Sequence, residues 1–230
     1  MCFNLFGPLV MDAGLATRLF QALLGRAEVE EVHQVLIEHA PSPPNEYLGD
    51  GTSFDAFVDY SRPGGSRALV GIETKLTDQF TKTHYPMSHT PAYRKWSMHP
   101  DSPFRQDMLD RLPNVRHNQL WRDHMLVVAL AHHSQRRYAG GTMMLVRHPR
   151  DTEGDQTVQG YRRLLTADDR TFMDVTLDHL IDAWDAVAQG EAETSWLAAF
   201  RRRYLDLTAS EEEWRRYRGP ASGSHGAASS

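Results

Sequence analysis

The chain has 230 residues, 40% hydrophobic and 24% charged, the balance of one globular domain with room for a helical appendage. Its net charge of −5 speaks against a chain that is basic throughout, yet it leaves room for local arginine clusters such as Arg162 and Arg163 or Arg201 to Arg203. No apolar run reaches the about 20 residues that span a bilayer, the opening MCFNLFGPLV lacks a basic signal-peptide start, and the single cysteine, Cys2, excludes an internal disulfide and a cysteine-rich zinc site. A reduced, cytoplasmic protein is expected.

Residues 2–10 are apolar. Asp12 is placed to cap a helix running to about Gly25, with Leu15, Leu19, Ala22 and Leu23 at helical spacing. Residues 28–40 are rich in β-branched side chains, and the alternation of His33, Val35 and Ile37 favours a strand. A proline-rich connection, PSPPNEYLGDG, carries Glu46. SFDAFVDY and ALVGIETKL then alternate as two strands, joined by a turn at Pro63, Gly64 and Gly65.

Residues 77–113 hold five prolines (Pro86, Pro91, Pro100, Pro103 and Pro113) and are expected to form a long ordered flap. Histidines there interleave with aromatics, including Tyr93, as the lining of a substrate groove would. No pair of them has the helical spacing of metal ligands. Asn114 is placed to cap a helix over 115–133 that carries Gln119, Arg122 and His124. Gly140-Gly141 leads into the strand TMMLVRH, and 153–155 reads as a loop. Residues 170–189 and 193–207 read as amphipathic helices, and Ser210 with Glu213 as the capping box of a third. The small, polar stretch 219–230 is expected to be disordered. The predicted plan is thus a core over 1–150 with its flap at 77–113, a helical extension over 151–218 packed on it, and a tail.

The hairpin at 53–78 carries the chemistry. A turn symmetric about Gly64 gives strand pairs whose residue numbers sum to 128, which sets Asp55 opposite Glu73 with Cβ atoms roughly 5 Å apart. Lys75 shares the face of Glu73, because side chains alternate along a strand. Two carboxylates so close repel unless a cation sits between them, and burying them beside an ammonium is costly. Such a trio suits metal-assisted phosphodiester hydrolysis: hard oxygen ligands for Mg²⁺ from Asp55, Glu73 and the Thr74 backbone carbonyl, and an ammonium to orient water or offset phosphate charge. D…ExK alone is a weak pattern, since most chance matches are surface strands with a salt bridge. The apolar surroundings, the register and the αβββαβ element order strengthen it.

With Asp55 in SFDAF and Glu73-Thr74-Lys75 in GIETK, the sequence resembles the PD-(D/E)XK nuclease superfamily over roughly residues 12–147. The phrasing FDAF…GIETK…QLWRDH is most similar to a poorly characterised branch of restriction endonuclease-like proteins. The resemblance implies an α/β fold, a restriction endonuclease-like αβββαβ core with a central mixed sheet flanked by helices, plus C-terminal helices. It implies a Mg²⁺-dependent endonuclease, with Mn²⁺ as a substitute, and nucleic acid, DNA ahead of RNA, as the partner. No membrane is implied, and a homodimer is compatible. Gln119 matches the glutamine that many members place on the helix after the third strand, and Glu46, with Glu31 in reserve, the acidic residue that some place before the first aspartate. Arg122, one turn beyond Gln119, His124 and Tyr93 are candidate substrate-binding residues. His124 could serve as a proton shuttle, though a histidine on such a helix is more often a satisfied structural residue, while Asp59 and Asp78 are expected on the rim. No proline precedes Asp55, which departs from the superfamily's usual signature. Two other readings stay open: a catalytically silent nuclease-fold module that binds nucleic acid or a protein, and a hydrolase of phosphate-containing small molecules.

Overall fold

The computed structural model describes residues 1–76, 80, 83–135 and 137–218. Asp78, the tail at 219–230 and the Ser210 side chain with its expected cap lie outside the described residues and side chains. The chain opens with α1 (Cys2–Met11) and α2 (Ala13–Leu24), then β1 (Glu31–His39), β2 (Phe54–Ser61) and β3 (Arg67–Lys75). Next come α3 (Pro91–Ser97), α4 (Asn118–Ala131), β4 (Gly141–Arg147), α5 (Thr152–Arg162) and β5 (Phe172–Thr176). The described chain closes with α6 (Leu177–Asp185), α7 (Gly190–Tyr204) and α8 (Thr208–Arg218).

The five strands form one mixed sheet in the order β1-β2-β3-β4-β5. β1 pairs antiparallel with β2 and β2 with β3, and β4 and β5 continue the sheet in parallel with β3. Every β2–β3 pair from Ala56↔Ile72 to Ser61↔Arg67 obeys the register expected from the sequence. Helices cover both faces. Val58, Val70, Ile72, Val146 and Val175 pack with Phe6, Leu19, Phe20, Trp184 and Phe200 on one side, and Phe57, Leu69, Leu145 and Phe172 pack with Tyr93, Trp121 and Tyr161 on the other. This mixed sheet between helices is the expected α/β restriction endonuclease-like architecture.

Asp12 caps α2 by accepting the Leu15 N–H at 2.8 Å, and Gly25 ends it with φ of 91°. The described part of the flap is a packed layer: Tyr93, Trp96, Phe104 and Leu112 are buried beside α4.

Three element expectations need correction. Residues 153–155 lie inside α5, which Asp151 caps through the Gly154 N–H at 2.8 Å. Its buried side chains are few, Thr157, Val158 and Tyr161 among them, so it shows little apolar periodicity. Residues 170–189 are not one helix. Phe172–Thr176 is β5, parallel to β4, so the part after 150 adds a strand to the sheet as well as helices. A five-residue strand running directly into α6 leaves no turn residues to announce the change. Finally, α4 starts at Asn118, because Asn114 instead closes a turn, accepting the Arg116 N–H on its side chain and the His117 N–H on its carbonyl.

Candidate metal centre

The polar residues of the hairpin lie on the sheet face covered by α4, in the same alternation as Leu69 and Gly71. Asp55 sits just beyond the last regular β2–β3 pair, and its Oδ2 accepts the Thr74 N–H at 2.8 Å and the Thr74 hydroxyl at 2.6 Å. The carboxylate therefore takes over a ladder bond that a strand carbonyl would otherwise make. Glu73 and Lys75 are 5% and 8% exposed, with Lys75 Nζ 2.7 Å from Glu73 Oε1. Gln119, in the first turn of α4, donates its Nε2 to the same Oε1. Among the described residues, Asp55 Oδ1 and Glu73 Oε2 receive no hydrogen bond.

Two further carboxylates act on this group. Burial pushes the Glu73 carboxyl up to about 7, and the negative charges of Asp55 and Glu38 add to the rise while the Lys75 ammonium opposes it. Glu38 lies on β1 between the pairs Ile37↔Ala56 and His39↔Phe54, so the register sets it against Asp55. Its φ of 52° is left-handed, which is rare for a residue other than glycine, asparagine or aspartate. Asp123 lies one helical turn after Gln119 on α4. Burial raises its carboxyl well above the usual range, followed by the charge of Glu73, with Arg122 and Lys75 opposing. Asp123 Oδ2 is buried with no hydrogen-bond partner. Sequence reasoning missed both residues. Carrying the strand register one strand further would have reached Glu38, and the i,i+4 step from Gln119 would have reached Asp123.

The structure gathers Asp55, Glu73, Lys75 and Gln119 and leaves others elsewhere. Thr74 faces Asp55 through its N–H and hydroxyl, while its backbone pairs with Val146 of β4. Glu46 is not brought to this group: it lies in the turn Pro44–Glu46, with Oε2 3.2 Å from His133 Nε2, past the C-terminal end of α4. Glu31 pairs with Ser61 at the opposite end of the β1–β2 ladder from Asp55. Arg122 and Tyr93 tie α3 to α4: Arg122 Nε donates to the Tyr93 hydroxyl at 2.9 Å, and Tyr93 donates to Asp50 Oδ2 at 2.5 Å. The Arg122 guanidinium also reaches Thr52 Oγ1 at 2.7 Å and lies 3.9 Å over the Tyr85 ring. His124 is fully enclosed, its ring nitrogens 3.0 Å from the Tyr161 hydroxyl and 2.7 Å from Thr171 Oγ1. Burial pulls its imidazole down to about 4, so it is neutral at physiological pH. Asp59 is not on the rim. It is fully buried under Arg67, Arg137 and the Tyr138 hydroxyl, because its place on β2 points it toward the loop before β4.

The donor set fits a hard divalent cation. Four carboxylates interact here against the Lys75 and Arg122 cations, two present unpaired oxygens, and the orphaned Asp123 Oδ2 is a buried acceptor with no protein donor. Among the described residues, a second group could hold a metal: atoms of His99, Asp101 and His132 lie within 4.8 Å of one another. His132 ends α4, roughly 20 Å along the helix from Gln119. Helical spacing alone gave no sign of it, since the chain brings its ligands together from two separate segments.

A family model described as the PD-(D/E)XK nuclease superfamily matches residues 1–206. Nucleases of that superfamily generally use divalent metal ions. No curated protein and no solved structure matches the chain. Among the described residues, no helix is long and apolar enough to cross a membrane.

Proposed function

The chain belongs to the PD-(D/E)XK nuclease superfamily, and from that premise we propose that it is a Mg²⁺-dependent endonuclease that hydrolyses phosphodiester bonds of DNA, in restriction, defence or repair. The observation that carries this reading is the pair of unpaired oxygens, Asp55 Oδ1 and Glu73 Oε2, beside the Lys75 ammonium. Asp55 and Glu73 would hold the cation, with Mn²⁺ as a substitute, and Glu38 and Asp123 add the negative charge that favours it. A bound divalent cation lowers the pKa of water and offsets charge that builds on phosphate oxygens.

The protein's own groups do the rest. The Thr74 N–H and hydroxyl fix the Asp55 carboxylate in one orientation, leaving its other oxygen to face the centre. Gln119 and Lys75 both hold Glu73 Oε1, which aims Oε2. Lys75, the ammonium beside Glu73, would orient the attacking water and offset the negative charge that develops on the phosphate. Plasmid DNA incubated with Mg²⁺ or Mn²⁺ tests this. Lys75→Ala and Glu73→Gln should each cut about 10²–10³-fold more slowly than the parent. Equal cleavage by all three would assign the activity to a contaminant. Absence of Mn²⁺ binding by calorimetry would instead favour a silent nuclease-fold module.

A further inference from the structure

The strand that carries Lys75 ends at the wall of a cleft of about 890 Å³, lined by Leu76 and His148. The His148 N–H donates to the Lys75 carbonyl at 2.9 Å, so the cleft begins beside the candidate centre. The His148 ring is 4% exposed and its Nδ1 accepts the Arg150 N–H at 3.1 Å. The ring proton therefore sits on Nε2, which is buried and has no partner. An unpaired buried donor costs on the order of 1–3 kcal/mol, which an acceptor from outside the chain would relieve.

The same cleft is lined by Arg116, Arg150 and Arg203. Arg150 is paired with Glu211, but Arg116 and Arg203 are exposed and form no ion pair among the described residues. Two carboxylates oppose them, Asp151, which is engaged in capping α5, and Glu153. A second cleft of about 750 Å³ adjoins the first at Asn114. It adds Arg105, Arg111 and Arg163 against Asp110, and His117, whose two ring nitrogens are also buried without partners. Six arginines thus line the track of the two clefts with three carboxylates, in a chain whose overall charge is negative; two of the six are already ion-paired with acids outside these linings, Arg105 with Asp107 and Arg150 with Glu211.

We propose that this track is the path of a nucleic-acid phosphate backbone, with His148 Nε2 donating to a phosphate next to the one that is cut, and Arg116 and Arg203 neutralising its neighbours. The inference rests on the nuclease reading above, but it concerns binding and is tested without metal. Labelled 20-nucleotide single-stranded DNA, the corresponding duplex and single-stranded RNA are titrated by fluorescence anisotropy in EDTA, over a series of salt concentrations. The parent should bind at least one of them, with affinity falling as salt rises. Arg116→Ala/Arg203→Ala should lose at least tenfold at low salt and lower the slope of log K against log salt by about 1.4 on single strands or about 1.8 on duplex. His148→Asn keeps an acceptor for the Arg150 N–H but lacks the Nε2 donor. It should weaken binding several-fold while changing the salt slope less than the double variant does. The unfolding midpoint of the double arginine variant should match the parent within about 2 °C, and circular dichroism of His148→Asn should show the parent's folded spectrum. An unchanged slope in the double variant would overturn the proposal, as would inorganic phosphate or ATP binding as tightly as the oligonucleotides. Loss of cleavage in Lys75→Ala with intact EDTA binding leaves the two readings separately decided.

Discussion

Glu73 is a carboxylate that the fold holds where its proton is hard to remove. Its pKa rises from the ordinary 4.5 to about 7, so between these values the folded protein binds more protons than the unfolded chain. The stability this contributes is fully present below about 4.5 and is lost as pH rises through about 7, at most on the order of 3 kcal/mol. Urea unfolding in EDTA at pH 5 and pH 8 should show that loss, and Glu73→Gln should flatten it. Protons and cations compete for the same oxygens, so Mn²⁺ affinity, measured by calorimetry, should rise with pH over the same interval. Asp123, raised for the same reason, predicts that Asp123→Asn is more stable than the parent at pH 8 by about 1–3 kcal/mol, because burial penalises ionisation of a carboxyl whose Oδ2 has no hydrogen-bond partner. Asp55, Glu73 and Lys75 were legible because alternation along a strand is a local rule. Asp123 was not, because an aspartate between Arg122 and His124 reads as solvent-facing until the sheet beneath α4 is in place.

Elements were legible in proportion to how much of their own apolar signal they carry. α2 announces itself through its cap and its leucines, and the β2–β3 hairpin through its turn. α5 and β5 depend on partners that the linear chain does not reveal. Arg147 of β4 is 5% exposed and pairs with Asp174 of β5 and Asp155 of α5 at 2.8 and 2.5 Å. A buried arginine joining three elements is invisible to periodicity. Arg147→Ala should cost about 3–5 kcal/mol in urea unfolding, since it strands Asp174. β3 also depends on a close approach. A Cβ on Gly71 would lie 2.3 Å from the Phe54 ring, which packs against the strand next to Asp55. Gly71→Ala should therefore cost about 1–3 kcal/mol and lower the unfolding midpoint by about 2–4 °C per kcal/mol, as calorimetry would record.

At the scale of the molecule, the two apolar layers lie on opposite faces of the same strands, so neither can open without exposing the other's support. Trp121 is buried in one layer and Trp184 in the other. Fluorescence of Trp121→Phe and Trp184→Phe, each lacking one indole of its layer and reporting through the remaining tryptophans, should change at the same urea concentration as the far-ultraviolet circular dichroism of that variant. Separate midpoints would mean that the layers unfold independently. The overall architecture was readable because the αβββαβ order is set by long, strongly patterned segments. The charge track was not, because it is assembled from residues far apart in the chain. The left-handed backbone at Glu38 has a consequence for how the chain can change over generations. Glycine suits that conformation, and relieving the side chain's clash there is worth about 1–2 kcal/mol. Glutamate and glycine codons differ by a single base, so the relaxed backbone is one mutational step away. That step removes the carboxylate set against Asp55, so selection for a sturdier protein and selection for a working centre pull on this codon in opposite directions.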